Sequence, residues 1–183
     1  MKVLDCFNIF LFEDTLSIKL DILNLFNENK IRLGTSSRKS TQFDVNLKDI
    51  KEFTTLVKKH FPYFKEKLLI QDKHKFFFKN AFVNINPPNG YNIPHMHTDC
   101  ILTGVYYFKV PSNSGNLVLK HPSPCKGLDE YHYKYYNYFN STLFNIKPSE
   151  KKLYIFPNYL EHYVEPNDSN ENRVSMSFNI GVK

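Results

Sequence analysis

The spacing of apolar residues changes about two-fifths of the way along the chain. From Ser17 to Lys30 the apolar positions Ile18, Leu20, Ile22, Leu23, Leu25 and Phe26 recur at mixed three- and four-residue intervals, which predicts an amphipathic helix. The polar stretch from Arg32 to Asp44 ends it. A second helical pattern runs from about Leu47 to Leu69, with Ile50, Phe53, Leu56, Val57 and Phe61 on one face and Pro62 bending or dividing it. The N-terminal third, to about residue 74, therefore reads as a helical support. From residue 75 onward the period becomes strand-like: Lys75 to Ile85, Ile101 to Val110, Asn116 to Lys120, Leu153 to Phe156 and Arg173 to Val182. Turn residues separate these runs at Asn86-Pro87-Pro88-Asn89-Gly90, Pro111 to Gly115 and Pro166 to Asn170. The pattern predicts a mostly β, α+β chain with an antiparallel sandwich. The tract 121–146, rich in tyrosine (Tyr131, Tyr133, Tyr135, Tyr136, Tyr138), reads as a long loop over one end of it, a candidate substrate lid.

Length and composition narrow this picture. At 183 residues with 42% hydrophobic content, the chain matches one domain, 1–183, with a core of ordinary size. No run approaches the roughly 18 apolar residues of a membrane span, and Asp5 and Glu13 interrupt the only early apolar stretch, so neither a membrane segment nor an ordinary signal peptide is expected. Cys6, Cys100 and Cys125 form neither a disulfide framework nor a CxxC zinc knuckle, which fits a reduced cytoplasm. The net charge of +6 is carried almost wholly by scattered lysines, with arginine only at 32, 38 and 173. Nucleic-acid readout clusters Arg and Lys on one face, so the charge reads as a solvated surface.

Candidate chemistry concentrates in two places. His95-Met96-His97-Thr98-Asp99 follows a turn, and residues i and i+2 of a strand face the same side, so either His95 and His97 or His97 and Asp99 are placed to hold one ion. His162, just beyond the buried-strand pattern Leu153 to Pro157, is the best further ligand. Two ligands near one strand and one from a later strand leave half the coordination sphere of an iron open for a cosubstrate and O₂. Taken alone, an HxH pair equally fits surface or hydrogen-bonded core histidines. Eleven residues after His162, Arg173 opens a strand whose alternation puts Arg173, Ser175, Ser177 and Asn179 on one face. A guanidinium fork matches a carboxylate bidentately, and the Ser175 hydroxyl supplies a third hydrogen bond.

These segments carry a resemblance. Residues 80–97, Leu102 to Phe108, Tyr154 to Pro166 and Arg173 to Asn179 resemble, in order, the 2-oxoglutarate–Fe(II) oxygenase family of bacteria and their phages, whose signature runs N-x-H-x-H-P, L-S-G-V-Y-Y, F-P-x-x-L-x-H-x-V-x-P and R-x-S-x-x-x-N. The chain departs from it at Thr98, where proline is usual, at Phe82, where tryptophan is common, and at Lys151 and Lys152, where glycine is usual. The resemblance implies a double-stranded β-helix, or jelly roll, Fe(II) as metal and 2-oxoglutarate as cosubstrate, with release of succinate and CO₂ as an unidentified substrate is hydroxylated. On that basis His95, His97 and His162 are the preferred ligands, with Asp99 as alternative third ligand. The wider prolyl-hydroxylase relatives use HxD, which would put His97 at the carboxylate position. Arg173 and Ser175 would hold the far carboxylate of 2-oxoglutarate. One of Tyr106 and Tyr107 must point inward, and Tyr107 is the expected cosubstrate contact. The competing reading is a cupin-like metal-binding or structural jelly roll without 2-oxoglutarate chemistry, which has no need of Arg173. The expected partners are the small-molecule cosubstrate and O₂; substrate and oligomeric state stay open.

Overall fold

The computed structural model describes residues 9–25, 31–32, 36–122, 134–135, 137 and 140–183. Twelve strands occur among them: β1 (Phe12–Thr15), β2 (Ile31–Arg32), β3 (Ser37–Arg38), β4 (Thr41–Val45), β5 (Phe76–Asn86), β6 (Tyr91–His95), β7 (Leu102–Lys109), β8 (Leu117–Lys120), β9 (Leu143–Ile146), β10 (Lys152–Pro157), β11 (His162–Val164) and β12 (Arg173–Val182). Three helices accompany them: α1 (Ile22–Leu25), α2 (Lys51–Lys58) and α3 (Phe61–Lys67). The strands form two antiparallel sheets, a larger one in the order β1-β10-β7-β12-β5-β4-β2 and a smaller one in the order β3-β6-β11-β8-β9.

Two-residue alternation along β5, β7 and β12 decides what each face of the larger sheet carries. Ala81 and Val83, Leu102 and Tyr106, and Met176, Phe178 and Ile180 form one face and join Ile50, Phe53, Val57 and Phe64 of the helical segment in the main core. Phe53 sits at the centre of this packing, 5.3 Å from the Phe178 ring and 5.6 Å from that of Tyr106. The alternate residues, including Asn84, Tyr107, Arg173 and Ser175, face the smaller sheet across a cavity of about 390 Å³. Val105, Leu117, Leu119, Ile146, Tyr154 and Phe156 fill the space between the sheets at one end with a second apolar cluster.

The helical pattern over 47–69 resolves into α2 and α3, with Pro62 in the first turn of α3, where its missing N–H costs nothing. The first third holds more strand than its periodicity predicts. Of the helix expected over 17–30, only the single turn α1 forms; Ile18, Leu20, Ile22 and Leu25 pack on the core, and residues 26–30 lie outside the described residues. The stretch 32–44, expected to be a polar break, instead contributes β3 and most of β4. The strand β4 carries Phe43 and Val45 into the core while Gln42 faces the cavity. The tract 121–146 ends not as loop but as β9, paired with β8. Tyr131, Tyr133, Tyr136 and Tyr138 lie outside the described residues, as do Cys6 and Cys125; Tyr135 is exposed. No helix among the described residues is long and apolar enough to cross a membrane.

Gly104 of β7 lies opposite Phe178 of β12, and a Cβ there would come within 2.3 Å of the Phe178 ring. Gly104→Ala is therefore expected to lower stability by about 1–3 kcal/mol through overpacking. Urea unfolding measures this, and a midpoint equal to that of the parent protein would show that the ring moves aside without cost.

Candidate metal centre

His95 ends β6 and stands directly opposite His162, the first residue of β11. Their ring centroids are 4.3 Å apart, and His97 lies 5.3 Å from His95 and 5.2 Å from His162. Each imidazole brings one nitrogen into a group whose atoms all lie within 4.8 Å of one another, the only metal-capable cluster of three His, Cys, Asp or Glu side chains among the described residues. Backbone carbonyls fix two of the rings: Nδ1 of His95 lies 2.8 Å from the Ile93 oxygen and Nδ1 of His162 lies 2.9 Å from that of Leu160. A carbonyl only accepts, so Nδ1 is the donor in both, and Nε2 of each neutral ring keeps its lone pair for an ion.

His97 is held differently, because it lies beyond the end of β6. Its N–H donates to the Asn158 carbonyl at 3.1 Å and its own carbonyl accepts from Asn158 Nδ2 at 3.0 Å. The His97 ring is hydrogen-bonded by the side chain of Asn179 and lies nearly parallel to Phe82, at 8° and 6.5 Å. Asn179 in turn donates to Asn80 Oδ1 at 2.8 Å.

Burial disfavours charge on all three imidazoles. It is the main cause lowering His95, with the Ile93 hydrogen bond opposing. Burial and then the neighbouring His95 bring His97 down to about 4, against its hydrogen bond with Asn179. The same two causes bring His162 to about 3. Three neutral nitrogen donors converging on one point suit a first-row divalent metal. Asp99, in contrast, stands outside this group. It adopts φ +57, its side chain is 82% exposed, and its carboxylate lies 3.7 Å from Lys79 Nζ.

Arg173, Ser175 and Tyr107 line the same cavity as the histidines. Arg173 is 1% exposed, and its Nη1 donates to the carbonyls of Ser114 and Gly115. Gly115 makes that turn possible: at φ +82, a Cβ would meet the Pro166 oxygen at 2.5 Å. The Nη2 of Arg173 is the one buried side-chain nitrogen or oxygen among the described residues with no hydrogen-bond partner. A buried donor left unmade is costly, so the chemistry of this atom fits an anionic partner in the cavity. Burial lowers the Arg173 pKa, opposed by Tyr107 and by Glu165. Burial also raises the pKa of Tyr107, which stays a phenol and a donor. Ser175 pairs in register with both Tyr107 and Asn84. Tyr106 points the other way and donates to the Leu16 carbonyl at 2.9 Å.

The structure thus gathers His95, His97, His162, Arg173, Ser175 and Tyr107 around one cavity and leaves Asp99 at its rim. Sequence reading placed Asn179 on the face of Arg173 without a part beside His97, and missed Asn158 there and Ser114 and Gly115 under Arg173. It also missed Asn80, Asn84 and Asn86 in β5, whose even spacing, interrupted by Phe82, was a legible signal of a polar inner face.

Residues 80–179, more than half of the chain, match the family described as "Putative 2OG-Fe(II) oxygenase", and the chain belongs to that family. It is thereby an oxidoreductase of the 2-oxoglutarate- and Fe(II)-dependent oxygenases. Similar solved structures include a prolyl 4-hydroxylase from Pseudomonas putida, at 14% identity and a TM-score of 0.57 over 83% of this chain and 78% of that one. The viral collagen prolyl hydroxylase of Paramecium bursaria Chlorella virus-1, solved as a 2-oxoglutarate complex, is 17% identical, with a TM-score of 0.55 over 79% and 80%. A Trichoplax adhaerens prolyl hydroxylase, in complex with a hypoxia inducible factor oxygen degradation domain peptide fragment, is 16% identical, with a TM-score of 0.61 over 87% and 74%. At such identities the likeness is one of fold, and the fold is the double-stranded β-helix expected from the sequence. No curated protein matches the chain.

The lowered imidazole pKa values set a pH dependence. Between 6.5 and the lowered values the unfolded chain binds protons that the folded chain does not. The stability they contribute is fully present above 6.5 and falls as pH drops toward about 4 and then about 3. Metal affinity is governed by the folded values, so Zn(II) binding followed by calorimetry should fall less steeply below about pH 6.5 than three ordinary imidazoles would require. Loss of about tenfold in affinity per imidazole for each pH unit below about 6.5 would instead mark exposed, ordinary histidines.

Proposed function

We propose that this chain binds Fe(II) through His95, His97 and His162, binds 2-oxoglutarate through Arg173, Ser175 and Tyr107, and hydroxylates a substrate with release of succinate and CO₂. The observation that carries this reading is the unpartnered, buried Nη2 of Arg173 in the cavity the three histidines share. A cupin-like metal protein has no use for such a donor.

Bound together, iron and 2-oxoglutarate supply a two-electron oxidation by O₂, in which one oxygen atom enters a substrate C–H bond and the other enters succinate. The protein's own part is geometric and electrostatic. The Ser114 and Gly115 carbonyls take up Nη1 of Arg173 and leave Nη2 unpartnered, so that it would hold the far carboxylate of the cosubstrate. The Ser175 hydroxyl and the phenol of Tyr107 are further donors to that anion. Val105, Leu117 and Phe156 form an apolar wall that excludes water beside it. His95 and His162, locked as Nδ1–H tautomers, need no proton shift to ligate. We read residues 1–183 as one oxygenase domain acting in the cytoplasm of a bacterium or of a virus-infected host cell. Its partners are the cosubstrate and O₂ rather than nucleic acid or membrane.

Anaerobic titration of Fe(II) and 2-oxoglutarate, followed through the visible metal-to-ligand charge-transfer band, tests metal and cosubstrate together. Arg173→Ala should keep iron but weaken 2-oxoglutarate binding roughly tenfold to a hundredfold, the loss of one buried charged hydrogen bond of about 1.5–3 kcal/mol. Unchanged cosubstrate affinity would defeat the assignment. In the same assay His95→Ala should lose most iron affinity while Asp99→Ala retains it; the reverse pattern would move the third ligand to Asp99.

A further inference from the structure

The cavity has two unlike walls. The cosubstrate wall, around Tyr107, Val105, Leu117 and Phe156, is apolar apart from Arg173 and its neighbours. Toward β4 and β6 the cavity is walled by carboxamides from three strands, Gln42 of β4, Asn84 and Asn86 of β5, which pair with Ser175 and Arg173, and Asn92 of β6, with Ser177 of β12 beside them. No residue of this wall has a role in the metal or 2-oxoglutarate assignment.

Its hydrogen bonds run in one direction. Gln42 Nε2 donates to Asn84 Oδ1 at 2.7 Å, and Asn84 Nδ2 donates to Ser177 Oγ at 3.1 Å. Asn86 Nδ2 donates to Asn92 Oδ1 at 3.2 Å, and Asn92 Nδ2 to Ser37 Oγ at 3.1 Å. Two capacities of the first chain are left over: Oε1 of Gln42 receives no donor, and the hydroxyl proton of Ser177 reaches no acceptor, among the described residues. Gln42 and Ser177 both line the cavity, and Ser177 is only half-buried. The wall therefore offers one acceptor and one donor, on β4 and β12, with the Asn84 carboxamide of β5 between them.

Charge excludes other ligands. Among the described residues lining the cavity the ionisable groups are the three histidines, Tyr107, Arg173, Lys79 and Asp99. The cosubstrate carboxylate answers Arg173, and Lys79 and Asp99 answer each other at 3.7 Å. An anionic or cationic group entering beside Gln42 and Asn84 would lose its water and find no counter-charge. An uncharged acceptor and donor on either side of one carboxamide are complementary to an amide, whose N–H and carbonyl point in opposite directions.

We propose that this carboxamide wall is the subsite for the substrate to be oxidised, and that it selects an uncharged substrate presenting an amide, with its N–H on Gln42 Oε1 and its carbonyl on the Ser177 hydroxyl. The proposal rests on the oxygenase reading above. A nucleic acid is the disfavoured alternative, because the sole lysine lining the cavity among the described residues is engaged with Asp99.

Ligand-observed NMR on the anaerobic Fe(II)- and 2-oxoglutarate-loaded protein tests it with four probes: N-acetylalaninamide, its anionic counterpart N-acetylalanine, its cationic counterpart alaninamide, and the nucleotide dTMP. N-acetylalaninamide should bind at least about tenfold more tightly than the other three, and Gln42→Leu and Ser177→Ala should each remove about tenfold of that affinity. Both variants should keep the Fe(II)–2-oxoglutarate charge-transfer band, which also reports that they fold. A normal band with equal binding of the four probes, with preference for a charged one, or with no binding at all overturns the substrate class alone. A wild-type protein without the band overturns the oxygenase reading and this proposal with it.

Discussion

Two-residue alternation along the central strands of the larger sheet is the constraint on which the molecule depends. A cavity lined with polar groups between two sheets is sustainable only if the sheet that carries it is sealed and stiffened on its other face. Here Phe178, Met176 and Ile180 lie under Phe53, Val57 and Phe64, while their neighbours Arg173, Ser175, Ser177 and Asn179 look into the cavity. A one-residue slip of β12 against β5 or β7 would bury the polar set under the helices and put the phenylalanine in the site. The register therefore fixes fold and chemistry together, and Gly104 is the place where the two strands come too close for any side chain but that of Phe178.

Within that frame the two functional halves are stabilised by different means. The histidine cluster relies on burial, which keeps the rings neutral, and on backbone carbonyls that set their tautomers. Arg173 relies on two carbonyls of one turn, which satisfy one side of the guanidinium and leave the other for an incoming anion. The first arrangement favours a cation and the second an anion. Side by side in one cavity they suit a metal chelate that carries its own carboxylates, the form in which 2-oxoglutarate meets iron.

The sequence by itself determined the elements whose pattern is local and repeated. The strands near 76–86, 102–109, 152–157 and 173–182 and the two helices divided at Pro62 were legible because the spacing of apolar residues carries the signal. His95, His97, His162, Arg173, Ser175 and Tyr107, which line one cavity, were legible as candidates because their residue types are scarce or chemically pointed and because they fall in an order that resembles a known family. Only the tertiary structure decided the rest. The strands β1, β3 and β4 are short or polar, and partners far along the chain make them strands, as β5 does for β4, which in turn pairs with the nearby β2. Likewise Asp99 and His95 look equivalent as neighbours of His97 in the sequence, yet a left-handed backbone turns Asp99 out toward Lys79 while pairing with β11 turns His95 in toward His162. Asn158, Asn179 and the carbonyls under Arg173 act through contacts between residues 58 to 82 positions apart, and separation of that kind leaves no periodic trace for a sequence to show.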